Sequence, residues 1–249
     1  MAEGDGKAVL CEKFGPIDSL RYRTVARCPP PTPGHVVISV RACGVNFPDV
    51  LMVQGKYQVR PQLPFAAGGE VSGIIRDVGE GVTHFKKGDA VIGFCGYGGF
   101  ATEITMKATA VAPLPPGMPF ADAAGFLVTY MTSYYALKSR AQLAPGETVL
   151  VLGAAGGCGM AAVQVRQVQI EVDAPVSAVT TAAARTSQRL TWPRNAVGGT
   201  VTEESLRCLS RYGRHLVVGF AAGDIPRIPT NLLLLRQASL MGVRAKSGA

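Results

Sequence analysis

A short apolar run leads directly into a glycine-rich turn in the middle of the chain. The run Thr148–Leu152 is typical of a strand that is buried on both faces of a parallel sheet. Gly153, Gly156 and Gly159 follow at three-residue spacing and open a stretch of small residues that predicts a helix. The start of such a helix presents backbone N–H groups and a positive dipole end, where a pyrophosphate can bind. The context therefore favours a dinucleotide site, and a turn without a ligand is the alternative, since the spacing departs from GxGxxG.

The first 118 residues follow a different pattern, with short strands separated by glycine and proline. Strands are predicted within three segments, Val36–Ala42, Glu70–Gly79 and Lys87–Gly93. The stretch Pro29–Gly34 predicts a surface turn, because proline cannot donate to a sheet ladder. Further along, Asp122–Ala141 predicts one or two helices. An all-β unit is therefore expected before the helices and the glycine turn.

The overall composition is that of a packed globular protein. Hydrophobic residues make up 47% of the 249 residues and charged residues only 17%, which argues against disorder of the whole chain. No apolar run reaches the roughly 18 residues that a bilayer helix requires. The acidic start Met1–Lys7 lacks both the apolar core of a secretion signal and the pattern of a transit peptide. We therefore expect a soluble cytoplasmic protein without a membrane-spanning role.

The net charge of +8 comes mainly from the second part of the chain. Residues 166–249 carry 11 basic and 5 acidic side chains, whereas residues 1–165 carry 14 and 12. The basic residues of the second part are mostly single, spaced arginines without interleaved aromatic side chains. A nucleic-acid surface is therefore not favoured.

Cysteine and histidine provide few candidates for chemistry. The six cysteines are at least 15 positions apart, so neither a CxxC pair nor a clustered zinc site is present, and reduced structural thiols are expected. The histidines His35, His84 and His215 fall in turn or strand contexts and are interpreted as surface residues rather than bases.

Six segments are similar to one known family: Arg41–Asp49, Gly55–Tyr57, Pro64–Glu70, Thr129–Tyr134, Thr148–Gln164 and Gly213–Phe220. They resemble the quinone oxidoreductase branch of the medium-chain dehydrogenase/reductase superfamily. The resemblance covers most of residues 1–164 and, less continuously, residues 197–243. It implies an α/β fold, in which a GroES-like, β-rich catalytic domain at residues 1–118 precedes an incomplete Rossmann-type NAD(P)-binding domain with a parallel sheet at residues 119–249.

The resemblance also implies NADPH as the cofactor and a set of site residues. Asn46 and Tyr57 would line the substrate end of the site, and Thr129 would contact the nicotinamide end. The turn would hold the pyrophosphate through Gly153, Ala155, Gly156, Gly157, Cys158 and Gly159. A later segment, formed by Val218, Gly219 and Phe220, would present main chain to the carboxamide. Structural interpretations remain open for the first three. Asn46 could cap a helix that begins at Phe47, Tyr57 could be a half-buried loop aromatic, and the Thr129 hydroxyl could bond to the main chain.

No metal is expected at this site. In the zinc-dependent members of the superfamily, a cysteine stands at the position of Asn46 and a histidine at the position of Gly69. A catalytic zinc needs three protein ligands of the Cys, His or carboxylate type, and Asn and Gly are not among them. Glu70 is then the single remaining residue of ligand type at these positions, and it is interpreted as a structural partner of other residues rather than as a metal ligand. The cofactor itself would then pass hydride or electrons to a quinone or an activated alkene.

The similarity to the family is interrupted after Gln164. Residues 165–196 do not follow the family, and within them Thr191–Asn195 predicts a loop. The chain also stops earlier than family members do. We therefore expect an internally shortened and C-terminally truncated member, in which a central strand of the parallel sheet loses its neighbours.

Two functions are compatible with these features. The first is NADPH-dependent reduction of a quinone or enone, a small-molecule substrate, by a chain that could form the homodimer common in the family. The second is a catalytically silent homologue that acts through binding, for instance to RNA through its basic second part, or that has no function.

Overall fold

The computed structural model of the protein describes residues 5–169, 177–179, 192–195, 200–221 and 223–244. These residues form two compact units, one ending at Val128 and the other beginning at Thr129. In the described part of the chain, no helix is both long enough and apolar enough to cross a membrane.

The first unit is built mainly from antiparallel strands. In chain order its strands are β1 (Asp5–Cys11), β2 (Arg21–Ala26), β3 (His35–Cys43), β4 (Phe65–Ala66), β5 (Glu70–Val78), β6 (Ala90–Phe94), β7 (Glu103–Lys107) and β8 (Val111–Pro113). Its helices are α1 (Phe47–Val53) and α2 (Phe120–Ala124), with 3-10 turns at Ile17–Ser19 and Ala108–Ala110. One sheet has the order β2-β1-β4 and the other β7-β3-β5-β6-β8. The predicted β-rich first part is thereby confirmed.

The larger sheet of the first unit packs one face against a hydrophobic core. In β7, Ile104 and Met106 are buried while the intervening Thr105 is exposed, which is the period-two alternation of a half-buried strand. In β3, Val36 and Ile38 reach the same core. A smaller cluster lies under α1, so the first unit holds two separate apolar groups.

The second unit is built around a parallel sheet. Its elements are α3 (Leu127–Tyr134, which begins just before the unit boundary), a π-helical segment (Tyr135–Arg140), β9 (Val149–Leu152), α4 (Gly157–Gln169), β10 (Ser177–Val179), β11 (Trp192–Asn195), α5 (Thr200–Arg207), β12 (Arg214–Val217), α6 (Thr230–Arg236) and β13 (Ser239–Gly242). The strand order is β10-β9-β11-β12-β13, and all four pairings are parallel. All four residues of β9 are buried, as the apolar run predicted.

The expected loop at Thr191–Asn195 is wrong, because Trp192–Asn195 forms the strand β11. This strand pairs with β9 on one side and with β12 on the other, and β10 also pairs with β9. The expectation that a central strand loses its neighbours is therefore wrong as well. Pro193 obscured the strand in the sequence, since proline disfavours central strands. It is tolerated here near the start of β11, because the pairing with β12 begins only at Arg194.

His215 is also not the surface residue that the sequence suggested. It lies in β12 and has no exposed surface, and among the described residues neither ring nitrogen has a hydrogen-bond partner. Burial lowers the pKa of His215 from its usual 6.5 to about 4, because the charged form loses its hydration. The second unit thus buries a neutral imidazole in its sheet.

This burial predicts a specific dependence of stability on pH. Between pH 6.5 and about 4 the unfolded chain binds a proton at His215 that the folded chain does not, so stability falls as the pH falls. The slope contributed by this group approaches about 1.4 kcal/mol per pH unit. Urea unfolding at pH 7 and pH 5 should therefore show a larger loss for the wild type than for His215→Leu. Equal losses in the two proteins would contradict the assignment.

Candidate active site

The turn between β9 and α4 requires glycine at two positions for different reasons. Gly153 has a φ of 70°, a region in which other residues are strained. A Cβ added to Gly159 would lie 2.1 Å from the carbonyl oxygen of Gly153 and 2.7 Å from the Cα of Ala154. The backbone of α4 therefore comes closer to the end of β9 than a side chain at position 159 would allow.

The start of α4 is open to solvent and rich in N–H groups. Ala155, Gly156 and Gly157 are exposed. The first hydrogen bond of the helical ladder runs from the Met160 N–H to the Gly156 carbonyl oxygen, 2.8 Å away. The N–H groups of the first turn lie ahead of this ladder, as at every helix N-terminus, and they carry the positive end of the helix dipole.

The glycine turn lies where the strand order of the parallel sheet reverses. From β9 the chain passes through α4 to β10 on one side, and it then returns to the other side of β9 to form β11, β12 and β13. In open parallel sheets, ligands bind outside the carboxyl ends of the strands at such a switch point. The sheet therefore places the turn at the position where a ligand site is expected.

The predicted segment Val218–Phe220 emerges at the same edge of this sheet. Asn195 at the end of β11 pairs with Leu152 of β9 and with Val217 of β12. The carboxyl ends of β9 and β12 are thus level, with one strand between them, a separation of roughly 10 Å. The second unit brings its two predicted cofactor-binding segments together along one edge.

Thr129 lies against the start of α4 within the second unit. A Cβ added to Gly157 would lie 2.9 Å from Cγ2 of Thr129, so glycine at this position makes room for the threonine. Ser133, which is fully buried, places its Oγ 2.7 Å from the Thr129 carbonyl oxygen and 2.9 Å from the Cys158 carbonyl oxygen. The structure therefore joins Thr129 to the glycine turn, a contact that the sequence did not predict.

Asn46 combines a position at a helix cap with a long-range contact of its side chain. It precedes α1, and its backbone N–H donates to Oδ2 of Asp49 at 2.8 Å. Its Nδ2 donates to Oε1 of Glu70, also at 2.8 Å. Asn46 stands at the N-cap, as the structural interpretation expected, while its amide is committed to a carboxylate on β5.

Tyr57 lies in the turn after α1 and is half-buried, as a loop aromatic would be. Its ring packs against the smaller apolar cluster of the first unit, Cys11, Met52, Val53, Phe65 and Ala67. Asn46 and Tyr57 thus flank the same short helix.

Two buried carboxylates, Asp49 and Glu70, support this region, and the sequence reasoning did not identify Asp49. Oδ1 of Asp49 accepts from the Gly68 N–H at 3.1 Å, in addition to the contact with Asn46. Burial raises the pKa of Asp49, and the two backbone hydrogen bonds oppose that effect. The sequence held a signal for Asp49, because an acidic residue three positions after an Asn cap is typical of a capping box.

Burial favours the protonated form of two thiols in the first unit, Cys43 and Cys95. Burial is the largest cause of a raised pKa at both thiols, and it raises the pKa of Cys95 to about 12. Both thiols are therefore protonated at neutral pH, whereas a metal binds the thiolate. Across the described ranges, no group of three or more His, Cys, Asp or Glu side chains is arranged to hold a metal ion.

Comparisons with known proteins agree with this architecture. Residues 32–116 match the model of the alcohol dehydrogenase GroES-like domain. The chain is 37% identical to a quinone oxidoreductase-like protein 2 homolog of Nematostella vectensis, over 84% of this chain and 64% of that protein. It is 35% identical to quinone oxidoreductase-like protein 2 of Bos taurus, over 86% and 69%. The chain thus spans about two thirds of the length of these relatives.

A solved structure, mycobacterial Rv1454c complexed with NADPH, matches the fold with a TM-score of 0.82 and 26% identity, covering 96% of this chain and 81% of that one. A GroES-like β unit followed by a parallel α/β unit with a glycine turn at its switch point defines a medium-chain dehydrogenase/reductase. The chain belongs, within that superfamily, to the quinone oxidoreductase-like family.

Proposed function

We propose that the protein is an NADPH-dependent oxidoreductase that reduces quinones or activated alkenes without a metal ion. The observation that carries the proposal is the glycine turn at the switch point of the parallel sheet, with Thr129 packed against it. The names of the relatives support a quinone as the acceptor. The NADPH complex of the mycobacterial protein supports the cofactor.

The residues at the turn fit a dinucleotide. The exposed first turn of α4 has no side chain between Ala155 and Cys158 that would block the approach of a pyrophosphate. Its backbone N–H groups and its dipole favour two negative charges at this place. Along the same sheet edge, Val218–Phe220 would present main chain to the carboxamide. The segment after β10, where such folds distinguish NADPH from NADH, lies outside the described residues.

Bound NADPH would supply the hydride, so this chain's own residues bind, orient and exclude water. Asn46 and Tyr57 would contact the acceptor. Thr129 would contact the nicotinamide end, held by the buried Ser133 hydroxyl against the start of α4. These residues act by positioning, and the acceptor takes up a proton together with the hydride to become the reduced product.

A charge at position 156 tests the cofactor site. Gly156 precedes α4, where Asp and Asn both serve as good caps, so neither substitution should weaken folding. Gly156→Asp places a negative charge beside the pyrophosphate and should weaken NADPH binding by about 10- to 100-fold, with an equal fall in kcat/KM. The matched neutral variant Gly156→Asn should keep most of the affinity.

The measurements are fluorescence titration with NADPH and steady-state NADPH oxidation with a simple quinone. NADPH should also raise the melting temperature of the wild type, because it binds the folded state. Equal affinities of the Asp and Asn variants would contradict the pyrophosphate assignment. A wild type that neither binds nor oxidises NADPH would overturn the proposed function and favour the catalytically silent alternative.

A further inference from the structure

Glu70 is a fully buried carboxylate that accepts hydrogen bonds from different elements of the first unit. Its exposed fraction is 1%. Oε1 accepts from Nδ2 of Asn46 and Oε2 accepts from the N–H of Val128, each at 2.8 Å. Val128 is the second residue of α3, so the carboxylate caps that helix from a distant strand. One side chain on β5 thus holds the start of α3 and the amide of Asn46.

The side chain of Glu70 is tightly enclosed by neighbouring backbone. A Cβ added to Gly44 would lie 2.6 Å from Oε1 of Glu70 and 2.3 Å from the carbonyl oxygen of Ala124. The Gly44 N–H also donates to the backbone carbonyl oxygen of Glu70 at 3.0 Å. The carboxylate is therefore confined between β3, α2 and α3, and it has little room to turn.

The chemistry of the contacts allows only one orientation of the Asn46 amide. A carboxylate accepts and does not donate, so the NH2 group of Asn46 must face it. A rotation of the amide by 180° would bring its oxygen against Oε1 of Glu70. Oδ1 of Asn46 is therefore kept as an acceptor that points away from Glu70, on the side of the capping box at the start of α1.

We propose that Glu70 is a positioning residue of this site: it fixes the Asn46 amide so that Oδ1 points away from the carboxylate as an acceptor, and it anchors the Val128 N–H. The inference rests on the proposed function for the role of Asn46, whereas the contacts themselves stand without it. Burial raises the pKa of the Glu70 carboxyl, and hydrogen bonds from Asn46, Val128 and Leu127 oppose that shift. These hydrogen bonds stabilise the ionised form, which accepts from Asn46 and from Val128.

Glu70→Gln tests this arrangement without changing the volume of the side chain. The amide of Gln has a single acceptor oxygen, so it can serve Asn46 or the Val128 N–H, and its NH2 group faces the other donor. Hydrogen exchange measured by NMR should show at least a tenfold loss of protection at the Asn46 side-chain amide or at the Val128 N–H. Glu103→Gln is the matched control, because Glu103 is another buried carboxylate of the first unit that does not contact Asn46, and it should leave both signals protected.

A kinetic readout separates positioning from a merely structural role. Glu70→Gln should lower kcat by about tenfold or more with the KM for NADPH nearly unchanged, because misplacement of a contact group affects the chemical step. Glu103→Gln should lower the melting temperature while kcat and KM keep their wild-type values. A Glu70→Gln protein with wild-type kcat would overturn the positioning role.

A double variant keeps the test valid if Glu70→Gln folds poorly. In the double variant Glu70→Gln with Asn46→Asp, the carboxylate and the amide exchange places. The NH2 group of the new Gln then donates to the carboxylate of the new Asp, and the Gln oxygen accepts from the Val128 N–H. Its melting temperature should exceed that of Glu70→Gln. A double variant no more stable than the single one, or unchanged protection in Glu70→Gln, would overturn the inference. If the wild type shows no turnover, the proposed function fails, and the exchange data still decide whether Glu70 holds Asn46 and α3.

Discussion

Replacement of Gly159 by alanine is expected to destabilise the second unit by about 3 kcal/mol or more and to abolish the response to NADPH. The new Cβ would lie 2.1 Å from the carbonyl oxygen of Gly153 and 2.7 Å from the Cα of Ala154. Both are backbone atoms, so the contact can be relieved only by moving α4 away from the end of β9. Such a movement opens the core and displaces the first helical turn from the switch point.

Gly156→Ala provides the control for this prediction. At position 156 the nearest atom to an added Cβ is the Gly153 carbonyl oxygen at 3.4 Å, which is an ordinary contact. The expected change is below about 1 kcal/mol, since alanine is merely a poorer cap than glycine. Urea unfolding of both variants, with and without NADPH, measures the difference. Equal stabilities of the two variants would show that close contact between α4 and β9 is not required.

Glu103→Gln is expected to destabilise the first unit by about 2–4 kcal/mol at pH 7. The Glu103 side chain is 8% exposed and accepts from Arg27, from Arg76 and from the Cys28 N–H. The Arg76 side chain is itself only 16% exposed, so removal of the Glu103 charge leaves a largely buried cation that keeps Asp77 and the Cys28 carbonyl oxygen but faces a neutral amide at position 103. The network joins the segment after β2 to β5 and β7, and its loss should loosen that edge of the larger sheet.

The same network predicts the pH dependence of this effect. Burial alone would raise the pKa of Glu103, but hydrogen bonds from Arg27, Arg76 and Cys28 outweigh it and lower the pKa below its usual 4.5. The stabilisation is therefore complete above about pH 4.5 and is lost as the pH falls further. Urea unfolding should show a wild-type advantage over Glu103→Gln that shrinks in acid. Glu12→Gln, which removes the exposed partner of Arg23, should leave the midpoint unchanged, and an effect as large as that of Glu103→Gln would contradict the role of burial.

The sequence predicted those parts of the fold that depend on local patterns. The run before Gly153 is apolar at consecutive positions, and such a pattern fits a strand covered on both faces, which is what β9 is. Glycine spacing after that strand located the turn and α4. Alternation and turn residues likewise located the strands β3, β5 and β6, because period-two patterns follow directly from the pleat of a strand.

The structure alone revealed the features that depend on distant neighbours. Apart from Trp192, nothing in the segment Trp192–Asn195 is typical of a central strand, and it is one because β9 and β12 offer their backbone groups on both sides. Similarly, His215 is buried because its strand is covered, not because its own sequence is apolar. Backbone pairing and burial are decided by which segments meet, and local periodicity carries little information about that.

The candidate site divides in the same way. From the sequence and its family resemblance came the residue types of the site, namely the glycines, Asn46, Tyr57 and Thr129. The tertiary structure decided how they are held: Ser133 ties Thr129 to the turn, and Glu70 receives both Asn46 and the start of α3. Local sequence determines which groups a short segment can offer. Which way those groups point depends on buried donors and acceptors far along the chain, because a buried polar group must find its partner wherever the fold places one.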